Sequence, residues 1–212
     1  MKLSAFAAVG ASAAALLLAN GAAAAVVIGP YTLDSGSFGA QTGVHSNGTQ
    51  TNVTTADAFV NQDGSQVTFT SSSAFGISTN GQGEATVAGP LPDLTVNFAK
   101  AWGAITFDFE SDVDSIMSLT VNGTTLFTDG GGNACGTLCD VSKNGANKFI
   151  LTGPAITSLA FSFDPSIADA KQFRVEFPSA VPEPAAWTMM ILGVGMIGGV
   201  MRRRRKMALA AA

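Results

Sequence analysis

The sequence predicts an all-β body, an antiparallel β-sandwich of jelly-roll type, carried between an N-terminal signal peptide and one C-terminal transmembrane helix. Three observations lead there. Turn residues recur about every 8–12 positions through the middle of the chain, with short alternating runs between them, which is the spacing of a sandwich rather than of βαβ units. No stretch of the body sustains an apolar period of 3.6, and 166–171 would make at most one short turn. Only 12% of the 212 residues are charged, about half the ~25% of an ordinary soluble domain, and both ends of the chain carry apolar, membrane-directed stretches.

In chain order, Met1-Lys2 is a short positive start, Leu3 to Leu18 is apolar or small, and small residues run from Ala19 to Ala25. This three-part order is that of a secretory signal peptide, residues 1–25. Ala23 and Ala25 then occupy the small-residue positions before a cleavage site at Val26. The body is expected over 26–180, a single domain able to bury ~70% of its unfolded surface. Gln66 to Thr70, Leu94 to Ala99, Ala104 to Glu110, Leu159 to Phe163 and Phe173 to Phe177 read as strands with alternate residues turned inward. Asn122-Gly123 between alternating runs predicts a type I′ hairpin pairing Val121 with Thr124 and Leu119 with Leu126.

Past the body, Val181-Pro182-Glu183-Pro184 is extended and unable to pair. Ala185 to Met201 is 17 residues without a charge, long enough at ~26 Å for a thin bilayer. Arg202, Arg203, Arg204, Arg205 and Lys206 follow and would stay on the cytoplasmic side, leaving the body outside with Trp187 at the outer interface. Residues 207–212 form a tail. Gly193-x-Gly195-x-x-Gly198 matches a dinucleotide fingerprint in letters only, since it falls inside this apolar segment; no cofactor is expected.

Pro182-Glu183-Pro184-Ala185-Ala186-Trp187, the glycine-containing apolar segment and the basic cluster together resemble the PEP-CTERM sorting signal, in its PEPxxWA form, with Thr188 where that form usually has Ala. The same motif also goes by the name ice-binding protein C-terminal domain. The resemblance spans 181–206 and implies recognition by exosortase, a membrane cysteine transpeptidase-like enzyme. It further implies a Gram-negative source, an inner-membrane intermediate, a final place at the cell surface, outer membrane or extracellular matrix, and association with exopolysaccharide and biofilm.

Between Val26 and Val181 five basic residues face 14 carboxylates, a net charge near −9. Nucleic acid is therefore excluded as a partner, since its binding needs Lys and Arg to neutralise phosphates. Cys135 and Cys139 are expected to form a disulfide in an exported protein, because C-x-x-x-C with one distant His is a poor metal or redox site. Asp108, Glu110, Asp112 and Asp114 alternate and would suit calcium only if the strand ran straight through. The preferred reading ends the strand near Glu110, turns 111–115 and leaves the carboxylates hydrated, with no metal. His45, the single imidazole, has no nucleophile elbow beside it. The expected function is a non-enzymatic secreted or surface protein of the matrix. An extracellular hydrolase acting on polysaccharide, or a carbohydrate- or ice-binding module, are the alternatives; Tyr31 and Trp102 are the body aromatics suited to stacking on sugar.

Overall fold

The computed structural model describes residues 25–36, 41–79, 84–128, 136–143, 145 and 147–177. Its strands are β1 (Val26–Ile28), β2 (Tyr31–Ser35), β3 (Thr42–Ser46), β4 (Gln50–Val60), β5 (Gln66–Thr79), β6 (Ala85–Glu110), β7 (Ser115–Val121), β8 (Thr124–Phe127), β9 (Asp140–Val141) and β10 (Asn147–Glu176), with one 3₁₀ turn at Gly136–Cys139. All pairings among the described strands are antiparallel.

The body is all-β, as expected, but its sheets are not two separate layers. The ten strands form one hydrogen-bonded sheet in which β3, β4, β5, β6 and β10 close a five-strand ring, each pairing with the next and β10 pairing back to β6. The reason lies in two long strands. The separate runs read at 94–99 and 104–110 are one 26-residue strand, and those at 159–163 and 173–177 belong almost wholly to one 30-residue strand. Irregularities in the ladder let both bend without ending: the register shifts after Thr152, Ile156, Ser162, Ile167 and Lys171. Bulges of this kind bend a strand and add twist, which is how a sheet turns a corner. Residues 166–171 are part of β10 and form no helical turn.

The consequence for position is specific. The second half of β6 lies between two passes of β10. Ala104 to Phe109 pairs with Asn147–Thr152 along one edge and with Ala170–Glu176 along the other. Ile105, Phe107 and Phe109 point into the core, at most 1% exposed. Around Phe107 the ring centroids of Phe161, Phe109 and Phe149 stand at 4.9, 5.2 and 5.6 Å, tilted or offset geometries that aromatic quadrupoles favour. Every residue from Ala104 through Phe109 is buried, so the outward face of this segment is covered as well.

The hairpin forms as a type I′ turn. Asn122 and Gly123 have φ of 49° and 77°, and Val121 pairs with Thr124. Leu119 pairs with Phe127 rather than Leu126, because a bulge between Leu119 and Thr120 shifts the ladder by one. Asn122 does more than turn. Its Oδ1 accepts from the backbone N–H of Thr157 (2.8 Å) and of Ser158 (3.0 Å), and its Nδ2 donates to the Ala155 carbonyl (2.9 Å) and to Tyr31 Oη (3.2 Å). The three backbone partners sit at the first bend of β10, where Ala155 itself has φ of 50°. Gly153 beside it packs flat on Tyr31, and a Cβ there would collide with the ring. Asn122→Ala should therefore destabilise the protein by about 1–3 kcal/mol through the stranded backbone groups of the bend, whereas Thr125→Ala in the same hairpin should change stability by less than ~0.5 kcal/mol. Chemical denaturation of the two variants measures the difference.

Candidate functional site: a polar cavity on the covered face of β6

On a strand that alternates, the residues opposite Ile105, Phe107 and Phe109 are Thr106, Asp108 and Glu110. The ladder sets Asp108 opposite Lys148 on one pass of β10 and opposite Lys171 on the other. Between Lys171 and Arg174 the register slips by one residue, and Gln172 at the slip has φ of 56°. The extra residue keeps Ala170, Phe173 and Val175 inward, at no more than 1% exposed, while Lys171 and Arg174 both lie on the β6 polar face. Were the ladder regular through Gln172, alternation would turn Arg174 into the core.

A cavity of about 170 Å³ opens on this face, lined by Gln41, Thr106, Asp108, Lys148, Gln172 and Arg174 together with Gly36, Phe107 and Phe149. Asp108 is 5% exposed. Burial pushes its carboxyl above the ordinary range and Glu110 adds to that, while Lys148 and Lys171 pull the other way. Arg174 is fixed by buried Glu84, with Nε donating to Oε1 at 2.6 Å. Gln41 Oε1 is buried and has no hydrogen-bond partner among the described residues.

Beside the cavity the ladder sets Glu110 opposite Asp169. Two like charges in that position repel, and Lys171 beside them compensates the two carboxylates unequally. Lys171 Nζ donates to Glu110 Oε2 and stands 3.7 Å from Asp169 Oδ1. The hydrogen bond from Lys171 holds Glu110 below its usual value. Asp169 is pushed up to about 6, first by burial and then by Glu110 and Asp108, in spite of Lys171. Loss of hydration alone would lower Lys171, yet Glu110, Asp169 and Asp108 together raise it.

The four carboxylates read as a possible calcium set do not converge. β6 ends at Glu110 and β7 begins at Ser115, as expected. Asp112 is exposed in the turn and Asp114 Oδ1 accepts from the Lys143 N–H at 2.8 Å. Asp108 departs from the hydrated state expected of it, because the two passes of β10 cover it. Among the described residues no group of three His, Cys, Asp or Glu is arranged to hold a metal. His45 lies on β3 opposite Phe59, its ring centroid 6.0 Å from that ring. Trp102 is 1% exposed and Tyr31 8%, so neither offers a face for stacking on sugar. Val26 opens β1, paired with Leu33, and Ala25 just before it is exposed. Cys139 is buried at the end of the 3₁₀ turn. Ala23 and the rest of the signal segment, Cys135, and Val181, Pro182, Glu183, Pro184, Trp187, Arg202, Arg203, Arg204 and Arg205 with the apolar segment between them lie outside the described residues. Among the described residues no helix is long and apolar enough to cross a membrane.

Gln41, Lys148, Gln172 and Arg174 were not visible as site residues in the sequence. One signal was available: two of the five basic residues of an acidic body, Lys171 and Arg174, fall beside or on the predicted run 173–177, whereas no predicted run reaches Lys148.

Asp169 gives a pH test. Its folded value of about 6 exceeds the 3.8 of the free group, so the native state holds its proton more tightly, and the stability this contributes is full below about pH 4 and lost as pH rises through 6. Asn in its place still donates to Glu110 and carries no charge. Asp169→Asn should raise Tm by a few degrees at pH 7.5 and leave it nearly unchanged at pH 4. Thermal melts at the two pH values check the sign.

Comparison with known proteins finds no curated protein and no solved structure that matches the chain. A family model does match its C-terminal segment: residues 180–206 are a PEP-CTERM protein-sorting motif, the signal by which exosortase sorts exported proteins towards the cell surface.

Proposed function

We propose that the protein is a non-enzymatic component of the cell surface or extracellular polysaccharide matrix, delivered there by exosortase after a signal peptide has directed its export. The sorting motif at 180–206 carries this reading. The body fits a durable extracellular part: Asp108 of β6 lies opposite Lys148 and Lys171 of β10, Lys171 pairs with Glu110, and Arg174 pairs with Glu84, a structural use of carboxylates rather than a catalytic one. A disulfide between Cys135 and Cys139 belongs to the same reading, since export places the chain in an oxidising compartment and no free cysteine occurs among the described residues. Closing so short a loop would pin it by only ~2 kcal/mol.

Delivery would run in three steps. The basic cluster 202–206 halts translocation, the short apolar segment holds the body at the membrane, and the rigid Pro182-Glu183-Pro184 presents a cleavable bond outside it. Glu183→Ala should leave the protein exported but held in the membrane fraction at its full post-signal length, while wild type loses the segment and reaches the outer surface or medium. Fractionation followed by intact-mass spectrometry distinguishes the two, and unreduced digestion of the same material should yield Cys135 and Cys139 linked. Mature wild type that retains residues 185–201 would leave a plain membrane anchor and overturn the sorting mechanism.

A further inference from the structure

The geometry points to the cavity on β6 as a binding site for one neutral saccharide ring, with Asp108, Lys148 and Gln172 as its recognising groups. This rests on the proposed extracellular role only in that such a protein meets sugars; the chemistry is argued from the cavity itself.

Two features of the site are costly without a ligand. Asp108, 5% exposed, lines the cavity, and in the same wall Gln41 Oε1 is buried without a hydrogen-bond partner among the described residues; a buried polar group left so is penalised. Gln172 occupies the left-handed region at φ of 56°, where glycine would sit without strain. Backbone outliers of this kind persist where the surroundings hold them for a purpose, and they cluster at ligand sites. Here the outlier sets a long amide at the cavity wall beside that of Gln41.

The lining selects the ligand class. Lys148 supplies donors only, Asp108 acceptors only, and the two glutamines and Thr106 both. A ligand must therefore offer donors and acceptors side by side, which vicinal hydroxyls do. A cation would meet Lys148 and Arg174 with a single carboxylate to hold it. An anion would meet Asp108 inside a body of charge near −9. At about 170 Å³ the cavity falls below the ~300 Å³ of the smaller drug-sized pockets, so it takes one ring, such as a chain end or branch, and not an internal stretch of polymer.

Saturation-transfer NMR on the mature wild-type protein, with the methyl glycosides of glucose, galactose, mannose and N-acetylglucosamine and with methyl glucuronide as the anionic probe, tests this. At least one neutral glycoside should receive saturation, and glucuronide less. Asp108→Asn and Lys148→Gln should each weaken binding about tenfold or more, while exposed Lys143→Gln binds as wild type does. Gln172→Gly separates recognition from folding: binding should fall about tenfold while Tm holds or rises. Transfer to none of the neutral glycosides, preference for glucuronide, or wild-type binding by Lys148→Gln and Gln172→Gly would overturn the site. All variants keep the sorting motif, so wild-type delivery without sugar binding contradicts this inference alone, and failed delivery of wild type contradicts only the sorting reading.

Discussion

The rest of the body depends on the enclosure of Ala104 to Phe109 between two passes of a single strand. A strand paired on both edges has its backbone groups satisfied from either side, so this segment can be buried on both faces. Its inward side anchors the phenylalanine cluster that holds the ring of strands closed. Its outward side, which in a half-buried strand would be solvated, is walled by Lys148 and Lys171. The closure of the sheet, the aromatic core and the polar cavity are thus three results of one pairing arrangement. Each requires β10 to bend sharply and return, which its register shifts and the positive φ at Ala155 and Gln172 allow.

That arrangement also sets the electrostatics. A body with nearly three carboxylates for each basic residue concentrates three of its cations around one strand. They compensate Asp108, Glu110 and Glu84, and the remaining conflict between Glu110 and Asp169 is relieved by keeping Asp169 protonated more easily than a free carboxyl. Polar groups in a low-dielectric setting are strong when paired and costly when not, so the face is stiff where the ladder matches charge to charge and poised for a ligand where it does not. Delivery is a separate matter. The sorting motif is a linear address at the far end of the chain, and nothing in its chemistry depends on what the body binds.

The parts legible from sequence were those that act locally. Alternation at 104–110 is visible because Ile105, Phe107 and Phe109 share one face, and the turn at Asn122-Gly123 is written in residues that tolerate positive φ. The sorting motif is legible because its receptor reads it as a string. Continuity of β10 was not legible, since two of the irregularities that carry it round corners sit at Ala155 and Gln172, neither of which is a glycine. Asp108 looked like a solvated carboxylate for a related reason. Its burial comes from Lys148 and Lys171, brought to it by pairing between distant segments, and periodicity on its own strand holds no trace of them. Leu119 meeting Phe127 instead of Leu126 is the same failure on the scale of one residue.

Native-state hydrogen exchange tests the enclosure most directly, because amides at the centre of a cooperative unit exchange only through global opening. The amides of 104–109 and those of both flanking passes, 148–152 and 171–176, should share the slowest exchange in the protein, with the same free energy and denaturant dependence as global unfolding. Exchange of either pass at the faster rate of the edge strand Thr124–Phe127, or unequal opening energies for the two passes, would show that β10 does not clamp β6 from both sides and would contradict the account.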